Sequence, residues 1–465
     1  MTVDGDDALR RARLRVLAAL VLLVAAGFRH HLVWGESERL PWLLPLLHGL
    51  EGACLVGYVA LAGTGWWRAL AVAARRAVPL SRLVPLTAPV LLAAVLVPCF
   101  LSADPIDYVV RGRILGVHGE NPYLRVASDF PGDPFLGFGD AGWKDMPLPY
   151  GPIVANVQAA IAWFAHQLPV PPRVELIVAL VVFKLLFALA LLASAIALHG
   201  LAERLRPGAG AHAFLAVAWN PLLLDECVAN AHNEPLLMLC LVVAVASAVA
   251  GRFAVSTIAL GVGAMTKVVP VVLGPLWLVL AARRRRWGAL LLGAAAAAAV
   301  AALFYLQFFR DPGAFAALQR QAELEGGSLW WAVHRATGLD LDVLVRMGRG
   351  AVLAWIVWSA VRLWRRPEPR ELLVATASTL LLLAVLGTAL FGVWYHAWWL
   401  PFALLLRDGY LYRAGCIASV VGPLAFLVWA GMRRLDAPHQ WWGFAVAVVV
   451  PLLGALRRGR RATRA

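Results

Sequence analysis

Charge is what this chain has least of. Only 15% of its 465 residues are Asp, Glu, Lys or Arg, while 61% are hydrophobic. With a mean hydropathy of +0.74, that balance excludes a soluble protein of this size and leaves a polytopic membrane protein. Cysteine is also sparse. Cys54, Cys99, Cys227, Cys240 and Cys416 lie singly with no C-x-x-C pair, which argues against a zinc site or a dithiol redox motif. His30-His31 and His118 lack metal-ligand spacing and read as interfacial polar residues. There is no glycine-rich phosphate loop and no soluble nucleotide-binding domain. Internal repeats are missing too, which counts against the repeat architecture of many transporters.

The charge that is present leans to one sign. Lys and Arg number 42 against 27 acids, a net charge of +15. The arginines collect at the ends of apolar segments, at 10–15, 75–76, 283–286, 365–366 and 457–461. That is the positive-inside pattern beside anionic lipid headgroups. Nucleic-acid binding would need the cations on one soluble face, and no such face is encoded.

Hydropathy predicts an all-α bundle of about 13–14 membrane helices, at 14–33, 42–64, 83–101, 174–199, 210–226, 234–250, 253–268, 269–282, 287–308, 350–364, 371–391, 394–407, 412–430 and 441–456. The basic start followed by residues 16–27 imitates a signal peptide but reads as a retained first helix. Segments 253–268 and 269–282 meet near Lys267 and Pro270, as a pair of short helices or one broken helix. The chain divides into 1–82 (cytoplasmic N-terminus and two additional helices), 83–308 (a catalytic membrane unit with an outer loop at 102–149), 309–347 (a second outer loop) and 348–465 (C-terminal helices and a basic cytoplasmic tail). Arginine placement puts the N-terminus in the cytoplasm and carries Asp104 to the outer face of the cytoplasmic membrane. Keeping Arg204, Arg206 and Arg252 inside requires residues 150–167 to lie in the outer interface or to re-enter from it. A conventional crossing there is the alternative.

With that topology four polar clusters share the outer side: the loop at 102–149, the turn at 225–234, the Lys267 region and the loop at 309–347. Asp104, directly after an apolar run, and Asp107 are the candidate general bases. Burial would raise such a carboxyl's pKa, and Arg111 or Arg113 would lower it. Asp225, Glu226, His232, Asn233 and Glu234 fall within ten residues between Leu-rich segments, a mixture suited to sugar hydroxyls or, more plainly, to helix capping. Lys267 suits a phosphate leaving group, or snorkels to the interface. Lys184, mid-span, is a weaker candidate of the same kind. Trp394-Tyr395-His396 opens a late span as an aromatic belt, with His396 or Tyr395 available to a phosphate.

Taken in order, these motifs resemble a known group. Ser102-x-Asp104-x-x-x-Tyr108, Gly112-Arg113, Gly119-x-Asn121-Pro122-Tyr123 and Tyr150-Gly151-Pro152 resemble the first outer loop of GT-C superfamily glycosyltransferases. The nearest likeness is to bacterial polyprenyl-phosphate-mannose-dependent mannosyltransferases. Asn220-Pro221-Leu222 followed by His232-Asn233-Glu234 resembles that group's Asn-Pro-Leu and His-Asn-Asp segment, with Glu234 in place of Asp. Thr266-Lys267-x-x-Pro270 and Trp394-Tyr395 are similar as well. The matches run over residues 100–405, leaving the helices before residue 83 outside the pattern.

The resemblance implies an inverting enzyme that needs neither a nucleotide sugar nor a metal or other cofactor. Its donor would be a polyprenyl-phosphate-linked sugar, mannose by the family's habit, and its acceptor a glycan or glycolipid. Asp104 matches the family's base, whereas the acid at Asp107 departs from the pattern. On this reading Lys267, Arg111, Arg113 and His396 hold the donor phosphate. Tyr108, Asn121, Tyr123, Tyr150, Glu226, His232, Asn233, Glu234 and Tyr395 line the sugar and acceptor sites. A transporter or flippase for a lipid-linked sugar, or a surface-glycan polymerase or ligase, is the competing expectation. Membrane lipids are the other expected partner, and the oligomeric state is not encoded.

Overall fold

The computed structural model describes residues 3–36, 44–99, 102–138, 143–315, 324–425, 428 and 439–462. Among them the chain is all-α, and the one β-like feature is an isolated pairing of Gly326 and Gly327 with Leu390. Five helices are long and apolar enough to cross a membrane: Gly49–Arg75, Pro172–Leu205, Trp287–Phe308, Leu341–Arg365 and Pro369–Leu386. Shorter apolar helices fill the bundle between them, so the expected polytopic all-α architecture is present.

Helices α1 (Val3–Glu36) and α2 (Leu44–Arg75) form a hairpin. The hairpin packs against the rest of the bundle. Buried Tyr58 donates to Pro221 O at 2.5 Å, and Trp66 Nε1 donates to Leu215 O at 3.2 Å. Helix α3 (Leu80–Leu96) has 17 residues, roughly 26 Å at 1.5 Å per residue, short of the ~30 Å hydrocarbon core. Its last carbonyls need partners. Lys184, half a helix away on α6 (Pro172–Leu205), donates to Val97 O. A cation at a helix C-terminus also meets the negative end of the dipole, so this mid-span lysine caps a helix.

Past the α3 end the chain enters α4 (Asp104–Gly116), with Pro105 in its first turn, where the lost N–H is harmless. The Asp104 amide donates to Ser102 Oγ at 3.2 Å, which fixes the Ser-x-Asp spacing. Gly112 and Gly116, four residues apart, lay α4 against α5 (Pro152–His166). A Cβ on Gly112 would stand 2.4 Å from Gln158 O, and one on Gly116 2.3 Å from Ala159 O. Small residues at this spacing let two helix backbones touch. Gly116→Leu forces them apart and is expected to cost about 1–3 kcal/mol, read as a lower thermal midpoint in detergent. With 15 residues α5 rises only roughly 22 Å, too short to cross alone. Trp163 and Phe164 on it are exposed.

Arg113 lies roughly 180° around α4 from Asp104 at 100° per residue. It faces two carboxylates, Asp133 at 3.0 Å and Glu175 on α6, over the Phe135 ring. His118 joins Asp133 at 2.6 Å. Burial pushes the Asp133 carboxyl up, but the Phe135 amide, His118 and Arg113 outweigh it and hold it below its ordinary value. A depressed folded pKa means stability that is present above about pH 4 and lost as pH falls through the folded value. Hydrogen exchange of residues 117–135 is therefore expected to accelerate in acid below pH 4 and not between pH 5 and 7.

After α7 (Gly210–Ala218) the chain breaks at Trp219-Asn220-Pro221. Asn220 accounts for its own motif. Its Oδ1 accepts from Leu222 N and Leu223 N, and its Nδ2 donates to Ser419 Oγ at 2.7 Å. Residues Leu224–Ala229 continue as a π-helical turn. The turn expected at 225–234 thus starts inside a helix, with Asp225 and Glu226 buried. Helices α8 (Glu234–Val249) and α9 (Phe253–Ala264) follow. A break and the 3-10 turn Val269–Leu273 then lead into α10 (Gly274–Arg283) and α11 (Trp287–Phe308). Of the two arrangements expected around Lys267, the pair of short helices is the one that forms.

The loop expected at 309–347 contains a helix, α12 (Leu329–Thr337), and gives up its end to α13 (Leu341–Arg365). Hydropathy places that span at 350–364 because Arg346 and Arg349 interrupt it. The helix nonetheless starts at Leu341, where Asp340 Oδ1 caps Val343 N at 2.9 Å and Arg349 donates to Gly387 O. Helices α14 (Pro369–Leu386), α15 (His396–Leu406) and α16 (Gly409–Val421) follow, and His439–Phe444, Ala445–Val449 and Val450–Ala462 end the bundle.

Candidate active site

Asp104, Tyr108 and Arg111 recur at i, i+4 and i+7, one face of α4. Across from this face stand the end of the π-helical turn, the α9–α10 break and the Val393–Tyr395 turn. His232 sits where they meet, 1% exposed. Its Nδ1 is 3.5 Å from Asp104 Oδ2, and its Nε2 is 3.4 Å from Glu226 Oε2. The Trp394 ring stacks on the imidazole at 3.8 Å and 17°. Ala231, buried just before it, takes a left-handed φ of 53°. A non-glycine residue in that region stores backbone strain, a frequent mark of functional sites. Ala231→Gly is expected to leave the thermal midpoint unchanged or raise it by a few degrees, and Ala231→Val to lower it.

Lys267 forms the second half of the cluster. Its ammonium pairs with fully buried Glu234 and lies 5.2 Å from the Tyr150 ring centroid and 5.7 Å from that of Tyr395. Tyr150 in turn packs edge-on to Tyr108 at 5.6 Å. The Tyr150-Gly151-Pro152 motif is pinned to this break: Gly151 N donates to Thr266 O at 3.0 Å and Ile153 N to Met265 O at 3.2 Å. A Cβ on Gly151 would stand 2.1 Å from Met265 O, so only glycine admits the contact. Beside Lys267 opens an apolar groove of about 540 Å³, running past Gly261, Val268, Ala298 and Tyr305.

The Asp104 carboxyl is pulled two ways. Burial raises it, while His232, Lys267 and Arg111 outweigh that and hold it below its ordinary value. Its side chain keeps 22% of its surface exposed, against 9% for Lys267 and none for Glu234. The carboxylate is therefore the most accessible charge of the cluster. Asp107, one turn on, is buried.

The expected site residues fall into two groups. Asp104, Tyr108, Arg111, Tyr150, Glu226, His232, Glu234, Lys267 and Tyr395 come together. Asn233 follows His232 directly, with its Nδ2 buried and unpartnered. Arg113 is turned to the other side of α4, between Asp133 and Glu175. Asn121 and Tyr123 form a clasp: Asn121 Nδ2 donates to Phe308 O at 2.7 Å, and Tyr123 Oη to Tyr150 O at 2.7 Å. His396 has both nitrogens in use, accepting from Trp399 Nε1 at 3.0 Å and meeting Ala447 O at 3.0 Å. That pairing fixes the neutral Nε2–H tautomer. Trp394, expected as part of an aromatic belt in preference to a surface for a sugar face, stacks on His232. Its position in the motif gave no sign of a partner 162 residues earlier. Among the described residues no His, Cys, Asp and Glu group has the arrangement to hold a metal.

A multipass α bundle that gathers carboxylates, an imidazole and one amine beside an apolar groove is the arrangement of an integral-membrane glycosyltransferase. Residues 14–283, more than half of the chain, match the MptA_B family, described as the N-terminal domain of alpha-(1->6)-mannopyranosyltransferase. The chain belongs to that family, a mannosyltransferase family of the GT-C type. No curated protein matches it. The match starts at residue 14 and so takes in most of the α1–α2 hairpin, in agreement with the bonds from Tyr58 and Trp66.

Proposed function

We propose that the protein transfers mannose, with inversion, from a polyprenyl-phosphate donor to a glycan or glycolipid acceptor on the outer face of the cytoplasmic membrane. Inversion at a β-linked donor gives an α product, and the family's description favours a 1→6 linkage. The observation that carries the reading is the position of Lys267, an ammonium between the carboxylate cluster and an apolar groove. A lipid phosphate needs those two things side by side, a counter-charge and a dry path for its tail. In this reading Asp104 takes the acceptor's proton as the sugar's anomeric carbon leaves the phosphate. Lys267 and Arg111 meet the charge that grows on the leaving phosphate. The aromatic walls Tyr108, Tyr150 and Tyr395 bound the sugar. The arginine runs at the chain segments remote from Asp104 support the outward orientation. No metal or other cofactor is needed for this chemistry.

The test is purified protein in detergent with labelled polyprenyl-phosphate mannose and an oligomannoside acceptor. Labelled product with a new α-1,6 linkage is expected, and a nucleotide-linked mannose is expected to give none. Product from the nucleotide sugar alone would overturn the donor assignment. A flippase would leave the labelled lipid unchanged in detergent.

A further inference from the structure

We propose that a basic cavity at the opposite end of the bundle from Asp104 binds a phosphate group, and that this phosphate is the headgroup of an anionic lipid. The site stands apart from the catalytic reading and does not depend on it.

The cavity, of about 370 Å³, lies where α6 ends at Leu205, α14 begins at Pro369 and α15 ends at Leu406. That volume falls within the roughly 300–1,000 Å³ of small-molecule sites. Helix α15 places it: its first residue follows Tyr395 of the catalytic cluster, and its last precedes Arg407. Helix α6 agrees, with Glu175 near its start paired to Arg113 of α4 and Arg204 in its last turn. Both α6 and α14 are candidate membrane spans, so a cavity at their ends sits at headgroup level.

Four arginines line it, Arg204, Arg206, Arg370 and Arg407, against one acid, Glu368. The neighbouring acids are already engaged. Asp408 pairs with Arg370, and Glu371 with Arg362 at 2.7 Å. Glu203 accepts from Gly208 N at 2.9 Å and Gly210 N at 2.7 Å. Buried His212, on which Arg206 and Arg407 both act, is a base and offers no counter-charge. Among the described residues Arg204, Arg206 and Arg407 make no side-chain hydrogen bond and no ion pair.

Arginines at a membrane edge are ordinary, and at helix C-termini they answer the dipole. Other arginines of this chain do so by contact. Arg283 donates to Trp364 O at 3.2 Å, Arg284 to Ala248 O at 3.1 Å and Arg413 to Ala455 O at 3.1 Å. The three at the cavity donate to none. Arg407 also takes a left-handed φ of 61° where it closes α15, a position that suits glycine. An arginine kept there against strain points to a use for its side chain. From the opposite wall α14 presents an N-terminus with no side-chain cap, so its first N–H groups and positive dipole end are open to an anion.

Guanidinium forks match phosphate oxygens in pairs. The floor between them is apolar, with Leu373, Leu405 and Leu406. Cations over leucines at headgroup depth suit a phosphate that carries acyl chains, whereas a free phosphate would leave the floor unused.

The test is the thermal midpoint of the full-length protein in a neutral detergent. It is titrated with phosphatidylglycerol, with phosphatidylcholine of the same chains, and with inorganic phosphate against chloride of equal ionic strength. Phosphatidylglycerol is expected to raise the midpoint by a few degrees and to saturate, since a ligand of the folded state alone stabilises it. Phosphatidylcholine and inorganic phosphate are expected to do much less. Arg206→Gln with Arg407→Gln is expected to abolish the rise. Arg366→Gln, which removes an exposed arginine outside the cavity, is expected to keep it. Arg206→Gln alone is expected to weaken the apparent affinity roughly tenfold, which gives the reading should the double variant fail to fold. A rise that inorganic phosphate matches and the double variant abolishes would keep the site and overturn the lipid assignment. A rise that survives the double variant, or that Arg366→Gln lowers equally, would reduce these arginines to general surface charge and overturn the site. No rise with either phosphate would overturn it as well.

Discussion

Asp104→Asn is expected to fold as the wild type does and to lose mannosyl transfer by roughly 10²–10⁴-fold. The substitution keeps the size of the side chain and the Asp104 amide bond to Ser102, so the entry to α4 is undisturbed. It removes a negative charge beside Lys267 and Arg111, carried by the most accessible carboxylate of the cluster. Donor binding should survive, since an amide leaves the cations free for a phosphate. The measurement is turnover together with donor affinity and the thermal midpoint in the same detergent. Wild-type turnover would dismiss Asp104 as the base. A collapsed midpoint would make the loss one of folding.

Lys267→Met is expected to do two kinds of damage at once. Glu234 is fully buried, and without its partner it carries an uncompensated charge, which costs about 3–5 kcal/mol. The donor phosphate also loses its counter-charge. A second change separates these effects. Lys267→Met with Glu234→Gln replaces the ion pair by neutral groups, so most of the stability should return while transfer stays lost. Recovery of both would make Lys267 a structural residue with no part in the reaction.

Much of this site was legible because charge is so scarce in the sequence. In a chain this apolar, Asp104 after an apolar run and Lys267 at a helix junction could hardly be incidental, and both lie in the cluster. The order of short motifs led to the family that the match to residues 14–283 establishes. Polarity, however, does not say which way a side chain turns. Arg113 and Arg111 are two residues apart, yet one faces Asp133 and Glu175 while the other faces the site. Asn121, Tyr123 and His396 share motifs with site residues and serve the scaffold beneath them. The role of Tyr58 was beyond a linear reading, since its partner Pro221 is 163 positions away. Helix α13 was cut short by Arg346 and Arg349, and the Arg349 guanidinium finds a carbonyl once the neighbouring helix is in place.

The shortness of α3 has a bearing on where the enzyme can work. Its end is fastened by Lys184 from the side of a helix twice as long, so it cannot rise to meet a thick bilayer. A bilayer thicker than the helix would have to thin around it, and each ångström of mismatch carries a small penalty. Turnover should accordingly decline as the host acyl chains lengthen, making membrane thickness a control on glycan assembly that no change at the catalytic carboxylate could imitate.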